Sequence, residues 1–145
     1  MRAAEMSYHF LFLTVGLGVV LVNCVNPVVS VGETEPARVD EDGVVRAAHF
    51  AEEELNKMSN DLYVRRMTDV IKAQKQVVEG MNYYLTIEMT PTECKKNDPI
   101  EELDSCKLLD KPEKQICDVV VNERLWVKEN PRQLLKFSCE NAHQK

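Results

Sequence analysis

The hydrophobic period changes once along this chain, and that change limits the possible folds more than any other feature. Apolar residues first recur at Val44, Ala48, Ala51, Leu55 and Met58, in steps of four, three, four and three. That spacing predicts an amphipathic helix of roughly four turns. Ala47 widens the stripe, while Glu52, Glu53 and Lys57 lie off it. Asp40, Glu41 and Asp42 set negative charge where a helix N-terminus favours it, and the helix should end near Ser59-Asn60-Asp61. From Met81 the period is two. Met81, Tyr83, Leu85, Ile87 and Met89 alternate with Asn82, Tyr84, Thr86, Glu88 and Thr90, the pattern of a half-buried strand.

The remaining segments extend that plan. Val25 to Asp40 carries Pro27, Gly32 and Pro36 without periodicity and reads as a flexible lead-in. Tyr63 to Gln76 leans towards strand, with Arg65 and Arg66 interrupting the alternation. Gln76-Val77-Val78-Glu79-Gly80 should turn the chain into the clean strand, its glycine permitting a tight reversal. Cys94 to Pro112 is a charged loop region. Ile116 to Glu123 and Leu134 to Cys139 are two more strands, joined through Leu125-Trp126 and Asn130-Pro131. One helix followed by strands is an α+β pattern, and the natural arrangement packs the helix on one face of an antiparallel sheet.

Phe10 to Val22 is an uncharged apolar run of 13 residues, with Arg2 upstream. It is short for a bilayer span and fits a signal-peptide core. Cleavage is expected after Cys24, with Ser30 as the alternative. Residues 1–24 are then a signal peptide and residues 25–145 a single secreted domain with no membrane contact. Its four cysteines, Cys94, Cys106, Cys117 and Cys139, make an even set, which in a secreted chain suggests two disulfides. Three pairings are possible, and the sequential one closes the shorter loops. A zinc site is disfavoured, because there is no CxxC pair and the mature histidines, His49 and His143, lie far from the cysteines.

The net charge of -6 excludes the basic footprint that nucleic acid requires. Catalytic equipment is missing as well. His49 stands alone between Ala48 and Phe50, and Glu52-Glu53-Glu54 reads as a solvated helix face. No P-loop or GxSxG motif occurs. The reading is a binding protein without cofactor or metal. Its interface candidates are the two apolar turns, Gln76 to Gly80 and Leu125-Trp126, the latter holding the chain's single Trp. The competing reading of Trp126 is that it packs under its own loop.

Those two turns, with the helix and the cysteines, resemble the type 2 cystatins, secreted inhibitors of papain-like cysteine peptidases. Gln76-Val77-Val78-Glu79-Gly80 fits the family's Q-x-V-x-G hairpin loop. Val31-Gly32 matches the glycine ending its N-terminal trunk, eleven residues before Gly43. Asn56-Lys57-Met58-Ser59-Asn60-Asp61 resembles the N-K-x-S-N-D after its helix. The cysteines fall where the family forms Cys94–Cys106 and Cys117–Cys139. Where the family's second hairpin reads Pro-Trp, this chain has Leu125-Trp126.

The resemblance implies a helix wrapped by a curved antiparallel sheet of four to five strands. It implies reversible, tight-binding inhibition, in which the trunk at Val31-Gly32 and the two loops form an apolar wedge filling the cleft of a papain-like peptidase such as a cathepsin. It also implies a second candidate partner, legumain, read through Asn60; the alternative is that Asn60 simply ends the helix. The expected state is a monomer, with a domain-swapped dimer as the other option. A secreted carrier of the same fold without a peptidase target is the competing function.

Overall fold

A computed structural model describes residues 32–100 and 102–142. The signal segment 1–24, both cleavage positions, trunk residues 25–31 with Val31, and His143 lie outside the described residues. The helix α1 runs Asp42–Met58. The strands are β1 (Thr34–Pro36), β2 (Tyr63–Val78), β3 (Gly80–Lys95), β4 (Gln115–Glu123) and β5 (Arg132–Asn141). They form one antiparallel sheet in the order β1-β2-β3-β4-β5, with α1 packed on one face.

The helix meets the sheet through small residues. Val44, Ala47, Ala48, Ala51 and Leu55 are buried, and the sheet supplies the bulk with Tyr83, Leu85, Ile87, Met89, Val119 and Val121. Each large apolar side chain removed from water contributes roughly 1.5–3 kcal/mol. Gly43 belongs to the same contact, since a Cβ there would overlap the Tyr83 hydroxyl. Burial pushes that Tyr83 phenol above its ordinary pKa. The alternation from Met81 therefore marks a strand whose odd positions face the helix. It continues past Thr90 to Lys95, because Thr92 is also buried and donates to the Val64 carbonyl at 2.8 Å.

The irregular stretch before it is a single strand of 16 residues with three register shifts against β3, at Tyr63/Arg65, Met67/Asp69 and Val70/Lys72. The two arginines that break its alternation fasten neighbours. Arg65 donates to Asp61 at 2.8 Å and to the Glu113 carbonyl at 3.0 Å. Arg66 donates to the carbonyls of Asp104 and Cys106 at 2.8 and 3.2 Å. Cys94 is bonded to Cys106, clipping the charged loop onto the end of β3, and Cys117 is bonded to Cys139 across β4 and β5.

Two readings need correction. The lead-in up to Asp40 contains β1, whose residues pair with Gln74 to Gln76. It has no buried residue, so hydropathy carries no trace of it. The second correction is Glu52, which is not on a solvated face. It is 4% exposed. Its Oε1 accepts the Met67 N–H at 2.6 Å, and its Oε2 lies 3.2 Å from His49 Nδ1. Met67 borders a register shift in β2, so the carboxylate satisfies an N–H beside a break in the ladder.

Burial raises the Glu52 pKa, and the Met67 and His49 contacts only partly oppose that. A carboxyl whose folded pKa is raised holds its proton more tightly in the folded state. Stability is therefore lost as pH rises from the unfolded value through the folded one. Glu52→Gln keeps an acceptor for Met67 and removes the charge. It should raise the melting temperature relative to wild type at about pH 7, with the advantage shrinking towards about pH 4. Melting curves across that range check it; a pH-independent difference would contradict buried charge as the cause.

Candidate functional site

The β2–β3 reversal is tighter than the sequence suggested. Val77 pairs with Met81 and Val78 with Gly80, so only Glu79 stands outside the ladder. Gln76, Val77 and Val78 are half-buried strand residues and Glu79 is the exposed apex. Gly80 has φ +94°, and a Cβ there would overlap the Glu123 carbonyl oxygen and lie 2.7 Å from Arg124 Cγ. Glycine is thus required both by the left-handed torsion and by the approach of the β4 end. Asn122, buried in β4, donates to Asn82 Oδ1 at 2.9 Å and to the Glu79 carbonyl at 3.4 Å, steadying the apex from beside it.

Gln76 holds more than its own turn. Its Nε2 donates to the Gly32 carbonyl at 2.8 Å, and its Oε1 accepts the Tyr84 hydroxyl at 2.6 Å. The Gly32 N–H donates back to the Val77 carbonyl at 3.3 Å. Gly32, at φ +101° with open space around it, is therefore tied to the first hairpin by two hydrogen bonds.

The second loop lies alongside. The Val127 N–H donates to the Arg124 carbonyl at 3.0 Å, closing a turn with Leu125 and Trp126 at its centre. Leu125 is 65% exposed and Trp126 64% exposed. Trp126 therefore does not pack under its loop. The Arg124 N–H donates to the Pro131 carbonyl at 2.7 Å, which closes the base. Asn130, before that proline, takes φ 52°, a torsion asparagine tolerates.

Below the loop sits Glu123, 3% exposed. Arg132 Nε donates to its Oε1 at 2.8 Å, and Arg46 on α1 approaches both oxygens at 3.3 Å. Helix, β4 and β5 thus share one buried carboxylate at the base of the exposed turn. Removing one partner of such a cluster strands a buried charge, which makes it a rigid foundation. The sequence held a signal for it: Glu123 follows Cys117, Val119 and Val121 in inward phase.

Asn60 is not part of this end. It is exposed beyond the C-terminus of α1, beside the start of β2, whereas the two loops sit where β2 ends and β4 ends. Lys96 Nζ donates to the Asn56 and Ser59 carbonyls and to Ser59 Oγ at 2.6, 2.7 and 2.7 Å. Arg65 grips Asp61. Asn60 is thus carried between two anchored neighbours. Among the described residues no cluster of three or more His, Cys, Asp or Glu could hold a metal.

Gly80→Ala should destabilise the protein by about 2 kcal/mol or more, combining the left-handed torsion with the overlap on Glu123. Gly32→Ala, with the same sign of φ but open space, should cost about 1 kcal/mol. Denaturant titration of both variants checks the difference; equal losses would mean that the approach of Glu123 contributes nothing.

The family model of the cystatin domain matches residues 32–126. The chain is 40% identical over 105 residues to Cystatin-1 of Chilobrachys guangxiensis, covering 72% of this chain and 77% of that one. It is 42% identical over 108 residues to Cystatin-C of Bos taurus, covering 72% and 70%. The crystal structure of dimeric human cystatin F shares the fold, with a TM-score of 0.71 at 24% identity over 86% of this chain and 99% of that one.

Proposed function

Because the chain belongs to the cystatin family, whose members inhibit cysteine peptidases and are not enzymes, we propose that it inhibits papain-like cysteine peptidases, cathepsins among them, reversibly and without covalent chemistry. The observation that carries this reading is the shared end of the molecule. There the exposed Leu125-Trp126 turn, the first hairpin from Gln76 to Gly80 and Gly32 are cross-linked through backbone and buried side chains.

The physics suits a plug. Papain-like clefts accept extended apolar chains, and a rigid edge carrying Trp and Leu offers large apolar area at small entropic cost. Glu123 with its two arginines and Gln76 with Tyr84 hold the loops before binding, so little ordering remains to oppose association. Val77 and Val78 add apolar contact beside the Glu79 apex. Gly32, lacking Cβ, lets the trunk residue Val31 and its predecessors run close to the catalytic cysteine of the peptidase. No substrate-like peptide bond is presented to that cysteine, so the complex dissociates intact. Leu125 in place of proline leaves the turn less stiff before binding while adding its own exposed area.

Trp126→Ala should weaken papain inhibition by about 2 kcal/mol, roughly thirtyfold, with the melting temperature nearly unchanged. Titration against papain with a fluorogenic peptide, alongside thermal melting, measures both. A large loss of stability with unchanged inhibition would contradict the proposal.

A second reading is supported at the other end. Asn60 is exposed between neighbours that Lys96 and Arg65 hold, a presentation suited to an asparagine-specific peptidase such as legumain. Asn60→Ala should abolish legumain inhibition and leave papain inhibition intact, as parallel titrations would measure. Loss of both would count against separate sites. The proposal includes secretion, with residues 1–24 as signal peptide and 25–145 as one domain, in keeping with disulfide bonds and an oxidising compartment.

A further inference from the structure

The sheet has two edges, and they differ. On the β2 side, β1 covers only Gln74 to Gln76, and the rest of β2 is broken by its three register shifts, which blunts it as a pairing template. On the β5 side no described strand covers the edge. Its irregularity is confined to Leu135, beyond which Lys136 to Asn141 run in unbroken register against Gln115 to Val120.

The hydrogen-bond phase of this edge can be read directly. The Ala142 N–H donates inward to the Lys114 carbonyl at 2.8 Å. Cys117 and Cys139 have Cα atoms 4.1 Å apart, the spacing of a pair without ladder bonds between them. Even-numbered residues therefore bond to β4, while Phe137, Cys139 and Asn141 direct their N–H and C=O groups outward. Phe137 is 48% exposed although it faces the helix side of the sheet. It lines a cavity of about 230 Å³ floored by Leu55, Met89 and the Cys117–Cys139 bridge. On the opposite face, Lys136 and Glu140 form no ion pair among the described residues.

We propose that the β5 edge is a self-association surface whose partner is the β5 edge of a second copy, antiparallel about a two-fold axis at Ser138. Three antiparallel registers near the centre of this edge are compatible with the outward groups, in which Phe137 faces Phe137, Phe137 faces Cys139, or Cys139 faces Cys139 of the second copy. Only the middle one sets Lys136 opposite Glu140, and symmetry makes that pair twice. The same register pairs Phe137 with Cys139 in two hydrogen-bonded couples, about four backbone bonds. It also lays each Phe137 ring beside the other copy's Cys139, at the mouth of the cavity. Ser138 meets Ser138 as a close pair without ladder bonds. The two-fold points the Leu125-Trp126 ends in opposite directions, so the dimer leaves both free. The inference rests on register and charge, independently of the peptidase reading.

The test is sedimentation of the chain from Val25 with both disulfides formed. A reversible dimer should appear at tens of micromolar. Lys136→Glu and Glu140→Lys should each weaken it about tenfold or more through like-charge pairs, and the double swap should restore it. Ser138→Cys should yield a covalent dimer under mild oxidation, because the two-fold sets the cysteines at disulfide distance. Papain titration and melting should match wild type for both charge variants, showing that the fold and the other end are intact. A monomer up to several hundred micromolar would overturn the proposal, as would a dimer indifferent to both charge reversals or one that forms only after unfolding and refolding.

Discussion

The close approach of α1 to the sheet is the constraint on which the rest depends. Ala47, Ala48 and Ala51 present almost no bulk, so the helix axis can lie low over Leu85, Ile87, Val119 and Val121. That closeness lets short polar links reach across. Arg46 reaches Glu123 at one end of the helix, Asn56 exchanges hydrogen bonds with the Arg65 backbone near the other, and Glu52 meets Met67 between them. A bulkier stripe would lift the helix and stretch all three contacts beyond hydrogen-bond range. The alanines thus set geometry as much as they bury area.

What could be read from the sequence follows from where burial is one-sided. The helix and β3 were legible because one face of each is buried and the other is not, which writes period 3.6 or period 2 into the chain. β1 was illegible because all three of its residues are exposed and backbone bonding to β2 alone makes it a strand. Glu52 was misread because its place is set by a register shift in a distant strand, and the residue types do not reveal where such shifts fall. The outline of the candidate site was visible in Gly32, Gly80 and Trp126, the residue types such geometry needs. Its supports were less so. Glu123 could have been flagged as a carboxylate in core phase, but the link from Gln76 to Tyr84 and Gly32 depends on cross-strand register.

The two ends of the molecule are built on different principles. The end carrying Leu125 and Trp126 exposes apolar surface and hides charge beneath it, with Glu123 buried between arginines. The end carrying Asn60 mixes that exposed amide with exposed Met58, Leu62 and Tyr63, and rests on ammonium and guanidinium contacts to backbone and side chains. Apolar display suits a partner offering an apolar groove, whereas the Asn60 amide can be read only by a partner that satisfies its hydrogen bonds.

The Lys96 contact also bears on the order in which the chain can assemble. The last carbonyls of a helix need partners, and here the ammonium of Lys96, the residue after β3, reaches those of Asn56 and the C-cap Ser59, forty residues from Asn56 in sequence. Until the β2–β3 hairpin has closed over its full length, the end of α1 has nothing from Lys96 to hold it. The helix can form its own cap bond, from the Ser59 N–H to the Leu55 carbonyl, but the Lys96 contacts with its last turn need a long-range closure. The Lys96 part of the support beneath the Asn60 segment therefore exists only where the distal end of the hairpin is closed.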